Sequence, residues 1–150
     1  MTEAANSPVG AALALARLCA GQDHYMQHLG IELVDAEIGR AVVRMRVGPQ
    51  HINFNGSCHG GALFSLADCA FGISSNSHGI LTAGIVAHMT FEAAVVDGDL
   101  LLATSTERTR SRKLAVYSVD VTREDGTPIG AFTGTVYVTG RPHTFGASSP

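Results

Sequence analysis

Between Gly60 and Gly72 the chain carries a single charge, Asp68, and its apolar residues fall at helical spacing. Leu63, Leu66, Ala67, Ala70, Ile73 and Ser74 share one face, the i, i+3, i+4, i+7 pattern of a packed helix. Gly61, Ser65, Asp68, Gly72 and Ser75 line the other side, with Phe64 and Phe71 on its flank. A helix this apolar all round is expected inside the molecule. A lone carboxylate there is unfavourable unless it is paired or used.

The remaining rhythms are shorter. Ser7-Pro8 predicts a helix start, with Ser as N-cap and Pro in the first turn, followed by a helix over Val9 to Ala20 that Gly21 stops. Asp23 to Leu29 predicts a second short helix ended by Gly30. Ile31 to Ile38, a turn at Gly39-Arg40 and Ala41 to Val47 predict a hairpin, in which Val43, Met45 and Val47 alternate with Arg44 and Arg46. A polar loop then leads into the central helix, expected to close near Gly79. Strands are predicted over Leu81 to Ala94, Leu100 to Arg108, Val116 to Arg123 and Ile129 to Thr139. Turns at Val96–Asp99, Arg110–Lys113 and Glu124-Asp125-Gly126 separate them. One buried helix needs a sheet wrapped round it to cover its apolar faces. The expected architecture is therefore an α+β, hotdog-like fold: an antiparallel sheet around one long central helix, in a single domain over 1–150. Residues 1–30 form an N-terminal helical extension and 140–150 a loose tail.

Composition narrows the function. With 45% apolar and 15% charged residues the chain suits a compact domain with surface hidden in an oligomer. A net charge of −3 supplies no basic field for nucleic acid or anionic membrane, so neither is expected as a partner. The apolar runs are too short and interrupted to span a bilayer, and no basic region marks a secretory signal. Cys19, Cys58 and Cys69 are odd in number and lack Cys-x-x-Cys spacing, which predicts reduced thiols in a cytoplasm.

Asn53, Gly56, Cys58-His59-Gly60-Gly61, Phe64-Ser65-Leu66-Ala67-Asp68 and Asn76, with the later Phe91 and Asp97-Gly98-Asp99 turn, resemble the signature of the PaaI-type hotdog thioesterases of phenylacetic acid degradation. The likeness runs from about Gly21 to Thr139. It implies hydrolysis of acyl-CoA thioesters, typically phenylacetyl-CoA and its hydroxylated relatives, without metal or prosthetic group. It also implies protomers joined sheet edge to sheet edge, dimers paired into tetramers, and active sites at the dimer interface. Asn53 and Asn55 are both candidates for the functional asparagine; the distance to His59 favours Asn53.

Thioester hydrolysis needs an activated water or carboxylate nucleophile, and donors for the developing oxyanion. Asp68 is the candidate base or nucleophile, with a pKa expected to be raised by burial; the alternative is a structural Asp bonded to loop amides. Gly60 and Gly61 open the helix, where free N–H groups suit an oxyanion; Gly61 is favoured as the donor, Gly60 next. Asn53 could orient the carbonyl or water, or simply build an Asx-turn. His59 could contact substrate or hold the loop. Ser75 lies on the Asp68 face of the helix, near its end, and is a candidate for substrate binding. Arg108, Arg110, Arg112 and Lys113 suit CoA phosphates, although a charged turn is usually just solvated. His51, His59, His78, His88 and His143 lack His-x-x-x-His spacing among themselves, so no metal site is expected at these five. Cys69 reads as core packing, and Ser65 lacks the setting of a nucleophile elbow. Two other functions compete: a hotdog hydratase or dehydratase, which would want a His opposite an acid, and a non-catalytic acyl-CoA binding module, which would need no carboxylate on the helix.

Overall fold

Alternation and turn glycines resolve into a sheet and three helices in the computed structural model, which describes residues 7–145. Helices α1 (Pro8–Gln22) and α2 (His24–His28) lead into strands β1 (Ile31–Glu37) and β2 (Arg40–Arg46). After one 3-10 turn at Pro49–His51 comes α3 (Gly60–Asn76), then β3 (Ile80–Phe91), β4 (Leu100–Arg110), β5 (Leu114–Arg123) and β6 (Pro128–Pro142). All strands join one antiparallel sheet in the order β1-β2-β4-β5-β6-β3, and α3 packs across it, as in a hotdog fold.

The predicted apolar stripe is what α3 buries. Leu66, Ala67 and Ala70 have no exposed surface and share the core with Val43, Leu101, Ala103 and Val119. Phe71 sits edge-on to Tyr117 at 5.8 Å and tilted on Phe132 at 5.5 Å. Its ring fills the space over Gly134, where an added Cβ would lie 2.6 Å from it, so β6 needs glycine there.

The end of α3 and the end of β6 differ from expectation. α3 ends at Asn76 rather than near Gly79, because Asn76 turns its side chain on the next strand: its Oδ1 accepts from Thr82 N at 2.9 Å. Gly79 then reverses the chain at φ +78°. β6 extends to Pro142, which pairs with Ile80, so Gly140–Pro142 are strand and not tail. Residues 1–6 of the expected N-terminal extension and 146–150 of the expected tail lie outside the described residues.

The side of α3 that carries Asp68 is covered less within one chain than the stripe that faces the sheet. Gly61, Asp68 and Gly72 are exposed on the single chain. The sheet covers one side of α3, and α1 and α2 reach only part of the other.

The two sheet edges differ. β1 carries Glu32, Asp35 and Glu37, with Arg44 and Arg40 paired to them, a charged edge that discourages strand addition. β3 has no Lys, Arg, Asp or Glu, and its stretch from Ala83 to His88 is exposed throughout, with Ile85 and Val86 each at 56%.

Candidate active site

The loop that leads into α3 is built by Asn53. Its Oδ1 accepts from Asn55 N at 2.8 Å and Ser57 N at 3.3 Å, while its backbone N–H donates to Ser57 O at 2.8 Å. This is the Asx-turn reading of that residue. Gly56 completes the turn at φ +80°, and Ile52 pairs with Cys58 across it. Asn55 contributes its backbone N–H to the same turn.

His59 is the N-cap of α3: its Nδ1 accepts the Gly61 N–H at 2.8 Å. Because Nδ1 accepts, the neutral ring carries its hydrogen on Nε2. The Gly61 amide is thereby occupied. The Gly60 amide makes no hydrogen bond to the described residues and lines a groove of about 340 Å³ with Ser57, Cys58, Leu63 and Phe91. The Phe91 ring would stand 3.3 Å from a Cβ at Gly60, so the close approach itself favours glycine. Geometry thus shifts the available donor from Gly61 to Gly60.

Asp68 lies two turns further along α3. Its carboxylate makes no hydrogen bond to the described residues; although the residue keeps exposed surface, the protein packed round the carboxylate partly desolvates it, and this, with the Asp23 charge second, raises its pKa above the ordinary aspartate range. The helix–loop bonding expected of a structural Asp is therefore not what holds it. Besides a recess of about 260 Å³ against Ile85, Val86 and Ala87 of β3, two further recesses meet at Asp68. One, of about 280 Å³, opens toward α1 and α2 and is lined by Asp23, Tyr25, Ser65, Gly72 and Leu81. The other, of about 290 Å³, opens toward the β3 edge between Phe71, Ser75, Thr82 and Gly84. Ser75 is buried at its floor, bonded to Gly72 O at 3.1 Å and to Thr82 Oγ1 at 3.0 Å.

The cationic turn is not drawn into any of these recesses. Arg110 faces inward to Glu107 at 3.6 Å and to the Tyr117 hydroxyl at 3.4 Å. His78 Nε2–H donates to the same Glu107 carboxylate at 2.8 Å, and Tyr117 also donates to it. Lys113 Nζ donates to the Tyr137 hydroxyl at 3.2 Å; Arg112 and Arg108 are exposed. Burial pushes the Cys58 thiol up to about 11 and the Cys69 thiol up to about 12, so neither is a thiolate at neutral pH. Among the described residues no cluster of His, Cys, Asp and Glu has the geometry to hold a metal ion, and no helix is long and apolar enough to cross a membrane.

Two residues that periodicity did not single out join the site: Asp23 and Tyr25. Asp23 read only as the start of a short helix, because nothing in the sequence places α2 against α3.

Comparison with known proteins identifies the family and the fold. A thioesterase superfamily model covers residues 55–129. The acyl-coenzyme A thioesterase PaaI of Escherichia coli is 36% identical over 106 residues, 71% of this chain and 76% of that protein. The solved structure of the E. coli PaaI protein, from the phenylacetic acid degradation operon, superposes with a TM-score of 0.89 at 32% identity, over 92% of this chain and all of that one. A Streptococcus mutans protein solved with bound acetyl-CoA follows at a TM-score of 0.72 and 27% identity, over 75% of this chain and 91% of its own. The chain belongs to the thioesterase superfamily, as a hotdog-fold member of the PaaI type.

Proposed function

We propose that this chain is an acyl-CoA thioesterase acting on aryl-acyl-CoA thioesters such as phenylacetyl-CoA and hydroxyphenylacetyl-CoA. It releases the free acid and CoA, and serves phenylacetate degradation by freeing CoA from dead-end thioesters. The observation that carries the reading is Asp68: a carboxylate with no hydrogen-bond partner among the described residues and a raised pKa, held where three recesses meet. Such a group is poised to take a proton from water or to attack a carbonyl itself. In the first route water oxygen bonds to the thioester carbon while Asp68 takes the proton. The carbonyl oxygen gathers negative charge against a backbone N–H, and the collapse expels the CoA thiolate, which the proton neutralises. Gly60 supplies that N–H, with the His59 Nε2–H beside it as a second donor and Asn53 holding the loop that sets both.

One chain does not close this site. Gly60 and Asp68 are eight residues apart on a straight helix, about 12 Å along its axis. A single thioester carbonyl must lie within about 3 Å of both the donor and the base. A second copy therefore completes the site, bringing its own α3 N-terminus to Asp68. The uncharged, exposed β3 edge supports edge-to-edge pairing, and a dimer of such dimers gives the expected tetramer. Arg112 and Lys113 carry the proposed phosphate contacts, since Arg110 is held by Glu107. The test is CoA release from phenylacetyl-CoA, followed with a thiol reagent, for wild type and Asp68→Asn. Loss of about a hundredfold or more in turnover with the fold intact is expected; equal rates would return Asp68 to a structural role.

A further inference from the structure

The hydroxyls beside Asp68 have a countable set of protons, and the count leaves one acceptor unused. Ser65 stands one helical turn before Asp68, on the same side of α3. Its hydroxyl donates to Gly61 O at 2.7 Å. A serine hydroxyl has one proton, and this bond uses it. The Tyr25 hydroxyl lies 3.2 Å from Ser65 Oγ, so in that pair Tyr25 is the donor. The Tyr25 proton is then committed as well, and its phenol oxygen keeps a lone pair with no proton left to give.

Why Tyr25 stands there follows from α2. Asp23 caps this helix by accepting from Met26 N at 2.8 Å, and Met26, 1% exposed, anchors it in the core. Its neighbour Tyr25 is thrown outward over α3 and stays 59% exposed. Tyr25, Ser65 and Asp68 line one recess of about 280 Å³. Apolar cavities of about 150 Å³ accommodate a benzene ring, so this recess has room for a substituted phenyl group attached to a carbonyl at Asp68.

We infer that Tyr25 is a specificity-determining residue, whose phenol oxygen accepts a hydrogen bond from a hydroxyl on the acyl group in the recess between α2 and α3. This rests on the thioesterase reading above and adds to it a direction of preference. Acyl groups that carry a donor are favoured over unsubstituted ones. Groups that offer only an acceptor, such as a methoxy-substituted ring, meet a lone pair and are disfavoured.

The experiment compares kcat/KM for phenylacetyl-, hydroxyphenylacetyl- and methoxyphenylacetyl-CoA in wild type, Tyr25→Phe and Ser65→Ala. Phe keeps the ring, so the melting temperature should stay close to wild type. The hydroxy-to-unsubstituted ratio is expected to fall about tenfold in Tyr25→Phe, the effect of one hydrogen bond. Ser65→Ala releases the Tyr25 proton, and the methoxy substrate should gain relative to the other two, a shift that a merely structural tyrosine would not produce. Ratios that stay constant across the three proteins overturn the inference, whether or not the absolute rates change. If wild type releases CoA from none of the thioesters, the thioesterase reading fails separately. Calorimetric titration with the free acids then decides the subsite: tighter binding of hydroxyphenylacetate than of phenylacetate, lost in Tyr25→Phe, upholds it, and equal binding overturns it.

Discussion

His59 Nδ1 accepts the backbone N–H of Gly61 at 2.8 Å, so the histidine of the His59-Gly60-Gly61 run caps the helix it precedes. The bond fixes the ring tautomer, occupies one of the two glycine amides and leaves the other facing the groove. His59→Ala is expected to lower stability by about 1 kcal/mol, a typical loss for an N-cap. His59→Asn, whose side-chain oxygen can accept the same amide, should recover most of it. Chemical denaturation of both variants measures this. Catalysis should follow a different order, because Asn restores the cap without placing a donor where Nε2–H stands.

Burial first and the Asp23 charge second hold the Asp68 proton more tightly in the folded chain than in the unfolded one. In the proposed mechanism Asp68 acts as the ionised base, which predicts that kcat/KM rises with pH through this raised pKa, above the ordinary aspartate range. Asp23→Asn removes the smaller cause and should move the acid limb to lower pH. A limb unmoved by that change would show that the Asp23 charge does not reach Asp68.

The same raised pKa acts on stability with a definite sign. An acid whose folded pKa exceeds its unfolded one contributes stability at low pH that is lost as pH rises through the folded value. Asp68→Asn should therefore gain stability relative to wild type at neutral pH and match it in acid, below the unfolded aspartate pKa. Melting curves at the two pH values give the comparison.

Phe71 and Gly134 interlock, with the ring where a β6 side chain would otherwise project. Gly134→Ala should destabilise by about 1–3 kcal/mol, the usual range for forcing a methyl into a packed core. The shift in denaturation midpoint measures it, and a neutral effect would mean that Phe71 can rotate away.

Val86→Lys places a charge on the exposed β3 edge. Edge charges oppose strand addition, so this variant should sediment as a smaller species than wild type and lose thioesterase activity with it. A monomer that keeps full turnover would overturn the shared site.

The sequence alone determined the long helix, because Leu63, Leu66, Ala67, Ala70 and Ile73 repeat at a spacing that only one conformation turns to a single side. It determined the strands after it through alternation and turn glycines, and it marked Asp68 as the one charge in an apolar run. Ends and partners were decided elsewhere. Asn76 stops the helix by bonding Thr82, and Gly140–Pro142 become strand by pairing with β3, contacts between residues that propensity treats separately. Which of the Gly60 and Gly61 amides is occupied within the chain was set by one imidazole nitrogen. Tyr25 and Asp23 entered the site because α2 docks against α3 across some forty residues of chain. Periodicity reports which face of an element is apolar; it carries no record of which distant polar atom that element will meet, and the chemistry of this site is made of such meetings.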